Sequence, residues 1–319
     1  MKHRLRFSGM QPLFLLAIIL LMVLLQAILL PGTVTIGQML LVSRQASALG
    51  IIALGQAAVI LCGGTDLSVG STVMIVNIFC ITLMRGQDAG VVPGLAACLL
   101  VGLAVGLANA AGVLLLRIAP FVMTLCSMTI LEGICYVYTQ GAPTGSAAPA
   151  IRALGTGHLG QVPWSTIIWL ALALLMWVVL SFTTLGRRVY AVGGNVRAAR
   201  LSGISSRAVI AGTYIFSALM STTAGVILSG YLNIASLTVS GDYVMNSLAA
   251  VLIGGNAIEG GRGGVWGVVL GAFFMMFLMA ILTMVGISEV GKMITQGVII
   301  FTVVAAHSLL DGRQEGGLS

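Results

Sequence analysis

The stretch Cys62-Gly-Gly-Thr-Asp-Leu-Ser-Val-Gly-Ser71 decides how this chain folds, because it places a carboxylate between two apolar runs. A charged side chain at the centre of a membrane helix costs about 2.5–3.5 kcal/mol on insertion scales, so Asp66 should not face lipid. The surrounding glycines and hydroxyls indicate a helix interrupted where its backbone is buried in protein or reaches water. We expect Asp66 to cap the amides of the interrupted helix rather than to contact a substrate. The predicted interrupted-helix motif consists of Gly63, Gly64, Asp66, Ser68, Gly70 and Ser71.

The composition on both sides of this motif predicts a membrane protein. Of the 319 residues, 59% are hydrophobic and only 7% are charged, whereas an ordinary globular domain carries about 25% charged residues. The longest weakly apolar stretch, residues 141–161, is too short to fold alone. We therefore predict an all-α, polytopic helical membrane protein in which residues 1–319 form a single transmembrane domain.

The apolar runs predict about ten transmembrane helices, since each span needs about 20 residues. The second and third spans meet at the Asp66 break, and the eighth is short. The predicted spans lie near residues 12–30, 44–62, 67–85, 93–116, 120–139, 164–184, 208–231, 244–257, 265–286 and 290–310.

The basic residues predict the orientation. With the N-terminus inside, the inner loops carry most of the 15 lysines and arginines, as the positive-inside rule requires. The predicted inner set is Lys2, Arg4, Arg6, Arg117, Arg187, Arg188, Arg197, Arg200, Arg207, Arg262 and Arg313. The predicted outer set is Arg44, Arg85, Arg152 and Lys292. Both termini are therefore predicted to be cytoplasmic, with a loop at about 185–207 facing inward and one at about 141–163 facing outward.

Several functions are excluded by what the sequence lacks. A P-loop needs Gly-x-x-x-x-Gly-Lys-Ser/Thr, but the only lysines are Lys2 and Lys292, and Met293 follows the second. The histidines lie far apart and do not form a metal-binding motif; they are His3, His158 and His307. The net charge of +7 resides in short loops between apolar runs, so it reflects topology and not nucleic-acid binding. We expect no enzyme site and no cofactor in this chain.

The inner loop from Gly186 to Gly203 carries its own structural signals. Asn195 is a plausible N-cap, and Val196–Ser202 would form a short helix closed by Gly203. Such a helix could be a knob for a partner's groove, or the loop could be basic only because of topology. Small and apolar contacts would come from Ala198, Ala199 and Leu201, and charge from Arg197 and Arg200.

Three motifs together resemble the permease subunits of bacterial ABC importers of the ribose/xylose/arabinose type. The loop spacing Gly-Arg-x-x-Tyr-Ala-x-Gly-Gly-Asn-x-x-Ala-Ala-Arg-Leu-Ser-Gly is similar to that family's coupling loop. The Asp66 stretch is similar to its GGxDLSVGS motif. A third match combines Ala249-Ala-Val-Leu-Ile-Gly-Gly255 with Glu259-Gly-Gly-Arg-Gly-Gly264. Two positions depart from the family pattern: Arg197, where many members carry Glu, and Val244–Asn246, where many carry Glu-x-Asp.

The resemblance implies an assembly in the bacterial inner membrane. The expected partners are a cytoplasmic ABC ATPase that carries ATP-Mg, a second permease copy or paralogue, a periplasmic sugar-binding protein and the surrounding lipid. The outward loop at 141–163 is the expected dock for the binding protein. The expected ATPase-coupling residues are Gly186, Arg187, Tyr190, Gly193, Gly194, Asn195, Ala198, Ala199, Arg200, Leu201, Ser202 and Gly203.

The function that follows is import of a monosaccharide, a ribose-like pentose or a hexose, driven by the separate ATPase. Polar residues inside apolar segments could line a weakly polar path or could join helices by hydrogen bonds. The possible pathway residues are Asn77, Asn109, Glu132, Asn233 and Asn246. The alternative is a stand-alone, proton-coupled secondary transporter of a small neutral solute that uses Glu132 or Asp66.

Overall fold

The computed structural model describes residues 4–299 and 301–302, and these form a bundle of helices. The helices are α1 Arg4–Leu29, α2 Ile36–Leu61, α3 Val69–Met84, α4 Val91–Leu114, α5 Pro120–Thr139, α6 Pro149–Thr156, α7 Trp164–Phe182, α8 Thr184–Gly194, α9 Val196–Leu201, α10 Ser206–Leu232, α11 Ser240–Ile253 and α12 Val265–Met284. A 3₁₀ turn covers Asp88–Gly90, and a two-stranded antiparallel hairpin joins β1 His158–Leu159 to β2 Val162–Pro163.

Helix occupies all ten predicted span positions within the described residues, and the prediction of a helical membrane protein is confirmed. Seven of these helices are long and apolar enough to cross a membrane: α1, α2, α4, α5, α7, α10 and α12. The helices α3 and α11 are shorter, with 16 and 14 residues, and each follows an irregular segment. A further helical stretch covers residues 289–299, and the last predicted span extends beyond the described residues.

Helix α2 forms the centre of the bundle. All its residues from Ala46 to Leu61 are buried, whereas α1, α4 and α5 expose most of their apolar side chains on the outside of the bundle. Its most apolar stretch is less apolar than those of α1 and α4, as suits a helix that packs against other helices and not against lipid. Small residues allow close packing there: a methyl group at Gly50 would overlap the ring of Trp169 on α7, and one at Gly55 would lie 2.9 Å from Ser217 Cα on α10.

The loop at 141–163, which is predicted to face outward, is folded, although the sequence indicated only a long connection. It contains α6 and the hairpin, and Ile151 of α6 is fully buried. The backbones of α6 and α10 touch where glycines face each other: a methyl at Gly155 would overlap Tyr231 N, and one at Gly230 would overlap Ile151 O. This loop is therefore a small cap fixed on the end of α10.

Candidate functional site

The three motifs found in the sequence meet at the end of the bundle predicted to face the cytoplasm. The amide of Gly261 donates to the carbonyl of Leu61, at 2.9 Å, where α2 ends. A methyl group at Gly193 would overlap that same carbonyl. The hydroxyl of Tyr190 donates to Gly263 O at 3.0 Å. We call this meeting point, formed by residues 61–66, 186–203 and 254–264, the cytoplasmic junction.

The inner loop forms two helices, α8 and α9, and its predicted local signals are present. The side chain of Asn195 accepts a hydrogen bond from Ala198 N at 3.0 Å, so it caps α9. Gly203 follows the helix with φ +79, a conformation that favours glycine. The short helix predicted at Val196–Ser202 is thus observed as Val196–Leu201.

The two faces of α9 have different surroundings. Leu201 is 90% exposed, and the side chains of Arg197, Ala198 and Arg200 are also exposed. Ala199 is only 4% exposed because it packs on Val192 and Cys62. The expectation that Ala199 offers an outward contact is therefore wrong, since its methyl group holds α9 against the rest of this chain. The exposed apolar side chains on this helix are Ala198 and Leu201.

Tyr190 joins α8 to the 254–264 loop as a hydrogen-bond donor. Burial raises the pKa of its phenol, so the group stays protonated and can donate to the carbonyl of Gly263. The bond ties the coupling loop to the segment between α11 and α12.

The predicted helix break is present, since α2 ends at Leu61 and α3 begins at Val69. Asp66 is 1% exposed and accepts three hydrogen bonds. Its Oδ1 accepts from Ser68 N at 3.0 Å and from Ser68 Oγ at 2.6 Å, and its Oδ2 accepts from Ser217 Oγ of α10 at 2.8 Å. Asp66 therefore caps one amide before α3 and also joins the break to α10.

A chain of polar side chains continues from the break toward α5. Asn109 of α4 donates through Nδ2 to Ser68 Oγ at 2.8 Å. Ser127 of α5 donates to Asn109 Oδ1 at 2.6 Å. The hydroxyl of Tyr214 on α10 donates to Thr65 O at 3.4 Å. The network thus connects the interrupted helix to α4, α5 and α10, and satisfied networks of this kind specify one arrangement of a core.

The glycines of the motif allow a turn and let neighbouring helices pack closely, and its last serine forms a local hydrogen bond. Gly63 has φ +77. A side chain at Gly64 would lie 2.8 Å from the Tyr214 hydroxyl, and one at Gly70 would overlap Ser240 O at the start of α11. Ser71 donates to Ser68 O, the residue before α3, at 3.0 Å.

The structure gives three of the five possible pathway residues a structural role. Asn77 of α3 donates to Ser229 Oγ at 3.0 Å and to Ile234 O at 3.2 Å, and it accepts from Ser236 N at 2.9 Å. It therefore holds the irregular segment between α10 and α11. Asn233 ends α10 with φ +57, and its Oδ1 accepts from Ala147 N at 3.1 Å.

Asn109 is the third of these residues, because both ends of its amide are used within the polar network. Asn77 and Asn109 thus use their amides inside the subunit, and Asn233 uses its Oδ1; the pathway role of these three residues stays a prediction. Glu132 and Asn246 are partly exposed. Glu132 accepts from Ser240 Oγ at 3.4 Å, and Asn246 Oδ1 is buried without a partner. These two stay possible pathway residues.

Ser217 and Tyr214 were missed by reasoning from the sequence. They lie about 150 positions away from the Asp66 motif, within an ordinary apolar helix, and no spacing rule connects them to it. Only the packing of α10 against α2 brings them to the carboxylate. Among the described residues, no group of three or more His, Cys, Asp or Glu side chains could hold a metal ion.

Glycine-rich segments thus lie behind an exposed basic helix at one end of a bundle of apolar helices. Comparison with known proteins identifies the family. The family described as branched-chain amino acid transport system / permease component matches residues 38–304, and the chain belongs to it.

Individual relatives align over most of the chain. It is 32% identical over 288 residues to ribose import permease protein RbsC of Haemophilus influenzae, and the alignment covers 89% of each chain. It is 33% identical over 319 residues to RbsC of Bacillus subtilis, which covers 98% of this chain and 97% of the relative. It is 30% identical over 292 residues to galactose/methyl galactoside import permease protein MglC of Escherichia coli. That alignment covers 85% of this chain and 86% of the relative. No solved structure matches the chain.

These relatives confirm the resemblance drawn from the three motifs. The chain is a transport subunit of the ABC importer class, a multi-pass protein of the inner membrane, and ATP hydrolysis belongs to a separate subunit. The class implies ATPase and substrate-binding partners in general terms.

Proposed function

We propose that this chain imports a monosaccharide, a ribose-like pentose or a hexose. The names of its relatives, which are ribose and galactose permeases, support this substrate class. A sugar is neutral and rich in hydroxyl groups, so its path needs no charged ring. The proposed assembly has two permease subunits, ATPases that carry ATP-Mg, and a periplasmic sugar-binding protein on the outer cap at 141–163.

The observation that carries the coupling part of this proposal is the two-sided packing of α9. One side presents Leu201, 90% exposed, beside Arg197 and Arg200, which is a surface that an apolar cleft with an acidic rim could receive. The other side, through Ala199, packs on Cys62 next to the helix break. A pull on α9 by a partner would therefore reach the Asp66 network directly.

The test is to replace Leu201 by Asp in the full chain. The variant should still insert into the membrane, because the side chain contacts little of its own subunit, but sugar uptake and co-purification of the ATPase should fall by about tenfold or more. The matched control is Leu116→Asp, a leucine that is also strongly exposed and predicted to lie on the same side. Equal uptake and equal ATPase recovery in both variants would contradict the proposal.

A second measurement distinguishes the proposed ATP-driven importer from the alternative, a proton-coupled transporter that works alone. Purified permease in vesicles without any ATPase should show no sugar accumulation when a proton gradient is imposed. Accumulation that disappears when that gradient is collapsed would establish the alternative instead.

A further inference from the structure

Helix α5 carries polar side chains on its outer surface, although it is one of the helices long and apolar enough to cross the membrane. From the middle of the helix to its outer end, Cys126, Thr129, Gly133 and Tyr136 are exposed, and Glu132 beside them is partly exposed. Residues three and four apart are neighbours on a helix surface, so these five form one continuous strip. We call it the polar face of α5.

The neighbouring side of the same helix suits lipid. Ile130, Ile134 and Val137 are exposed there, at 62%, 45% and 81%, and their spacing of four and three places them on one side of α5. A membrane helix that is apolar on one exposed side and polar on the other lies between lipid and a more polar surrounding. The polar face of α5 therefore does not have the same neighbour as the apolar side.

Glu132 offers an acceptor that the subunit leaves unused. It is the thirteenth residue of α5, about 18 Å along the helix, and hence well inside the span. Its Oε1 accepts from Ser240 Oγ at 3.4 Å. Its Oε2 has no partner among the described residues and is not enclosed by them. Acidic residues within membrane spans almost always face the bundle interior or a water-filled cavity.

Gly133 and Tyr136 form an open recess next to this carboxylate. A methyl group at Gly133 would meet no atom within 4 Å, so packing inside the subunit does not explain a residue that weakens a helix interior. Tyr136 follows three positions later and is 54% exposed. Its hydroxyl makes no hydrogen bond within the described part of the chain. The recess thus combines a carboxylate oxygen, open space and an aromatic ring.

Dry packing of this face against a second copy of the chain fits poorly. Symmetric contacts place the same patch of both subunits together, which would bring one Glu132 towards the other. Helix α5 contains no Lys or Arg that could pair with the carboxylate, and burying a charge without a partner is strongly unfavourable. Water beside the polar face satisfies the same groups.

We propose that the polar face of α5 lines a water-filled path and that the transported sugar contacts it there. Glu132 Oε2 accepts hydrogen bonds from sugar hydroxyls, since a carboxylate is an acceptor and a sugar supplies many O–H donors. Tyr136 packs its ring against the carbon side of the sugar, as its apolar body and polar tip allow. The sugar contact rests on the proposed function, whereas the wet face does not depend on it.

The first experiment tests the wet face with thiol labelling of the full chain in nanodiscs. In a Cys126→Ser background, Thr129→Cys and Ile130→Cys place a thiol on the polar and on the apolar side at adjacent positions. A negatively charged thiosulfonate reagent should modify position 129 about tenfold or more faster, because a charged reagent enters hydrocarbon poorly. Equal or slower labelling at 129 would overturn the proposal.

The unaltered protein provides the same test should those variants fail to fold. Cys126 is exposed, and Cys62, Cys80, Cys98 and Cys135 are buried. The charged reagent should therefore modify the native protein at Cys126. Modification by a lipophilic maleimide alone would place the face in lipid, and modification by neither reagent would mean dry packing; either result would overturn the proposal.

The second experiment tests the sugar contact by ATP-driven uptake of D-ribose and D-galactose in vesicles that contain the whole importer. Glu132→Ala should lower maximal uptake about tenfold, because it removes a charged hydrogen-bond acceptor, and Glu132→Gln should lower it less. Unchanged uptake in Glu132→Ala would overturn the contact. So would an equal loss in Ser240→Ala, which removes only the bond inside the subunit. An importer that moves neither sugar would overturn the proposed substrate class and the contact together, while the labelling decides the wet face separately.

Discussion

At the scale of single residues, Asp66 shows how a carboxylate is kept inside an apolar bundle. Its two oxygens accept bonds from Ser68 N, Ser68 Oγ and Ser217 Oγ. Replacing a carboxylate that satisfies buried donors leaves those donors unpaired, at a cost of about 1–3 kcal/mol for each group. The side chain is therefore structural, and its loss should act through stability and through the position of α3.

Asp66→Ala should lower the thermal stability of the purified protein by several degrees and reduce uptake. Asp66→Asn should be milder, because the amide keeps one acceptor for Ser68 and the Ser217 hydroxyl can rotate to accept. Heating detergent samples stepwise and measuring the folded fraction by size exclusion gives the readout. Glu289→Ala is the control, since its exposed pair with Lys292 contributes about 0–1 kcal/mol. If Asp66→Ala were as stable as this control, the structural role of Asp66 would be refuted.

At the scale of elements, the docking of α8 on the end of α2 depends on one position. A methyl group at Gly193 would overlap the carbonyl of Leu61, whereas a methyl group at Gly194, its neighbour, would enter open space. The two glycines differ in surroundings and not in chemistry. They make a matched pair for asking whether close contact between the coupling loop and the helix break matters.

Gly193→Ala should displace α8 from the junction and reduce ATP-driven uptake about tenfold or more, because overpacking costs about 1–3 kcal/mol. Gly194→Ala should leave uptake nearly unchanged. Uptake by vesicles that contain both the permease and its ATPase is the measurement. Equal uptake in the two variants would show that the contact has no part in coupling.

At the scale of the whole molecule, the sequence predicts those features that neighbouring residues determine. Asp66 among glycines indicated the break, and Asn195 before an apolar run indicated a cap, because neighbouring residues determine both features. The pathway role of Asn77 and Asn233 stays a prediction, since an amide in an apolar helix can line a path or hold another segment. Only the packing of distant segments decides between these uses, and Ser217 was missed for the same reason.

The orientation of the molecule stays a prediction and can be measured. In a variant without native cysteines, Gly160→Cys in the outer hairpin should react with a membrane-impermeant maleimide in intact spheroplasts. Gly194→Cys should react only after permeabilisation. Both glycines have space for a side chain. Gly160 has φ +63, so a Cys there adds a strain of about 1–2 kcal/mol, which a surface turn should tolerate without unfolding. The reverse labelling pattern would invert the topology and place the coupling loop on the wrong side for an ATPase.

The cap at 141–163 and the Asp66 network share one helix, and this has a mechanical consequence. Helix α10 is continuous over 27 residues, about 40 Å, and it touches α6 through Gly230 at one end and Asp66 through Ser217 nearer the other. If α10 moves as a unit, a displacement of the cap, which is predicted to lie outside the membrane, also displaces Ser217 and the carboxylate that it contacts. An event on one side of the bilayer would then be registered on the other.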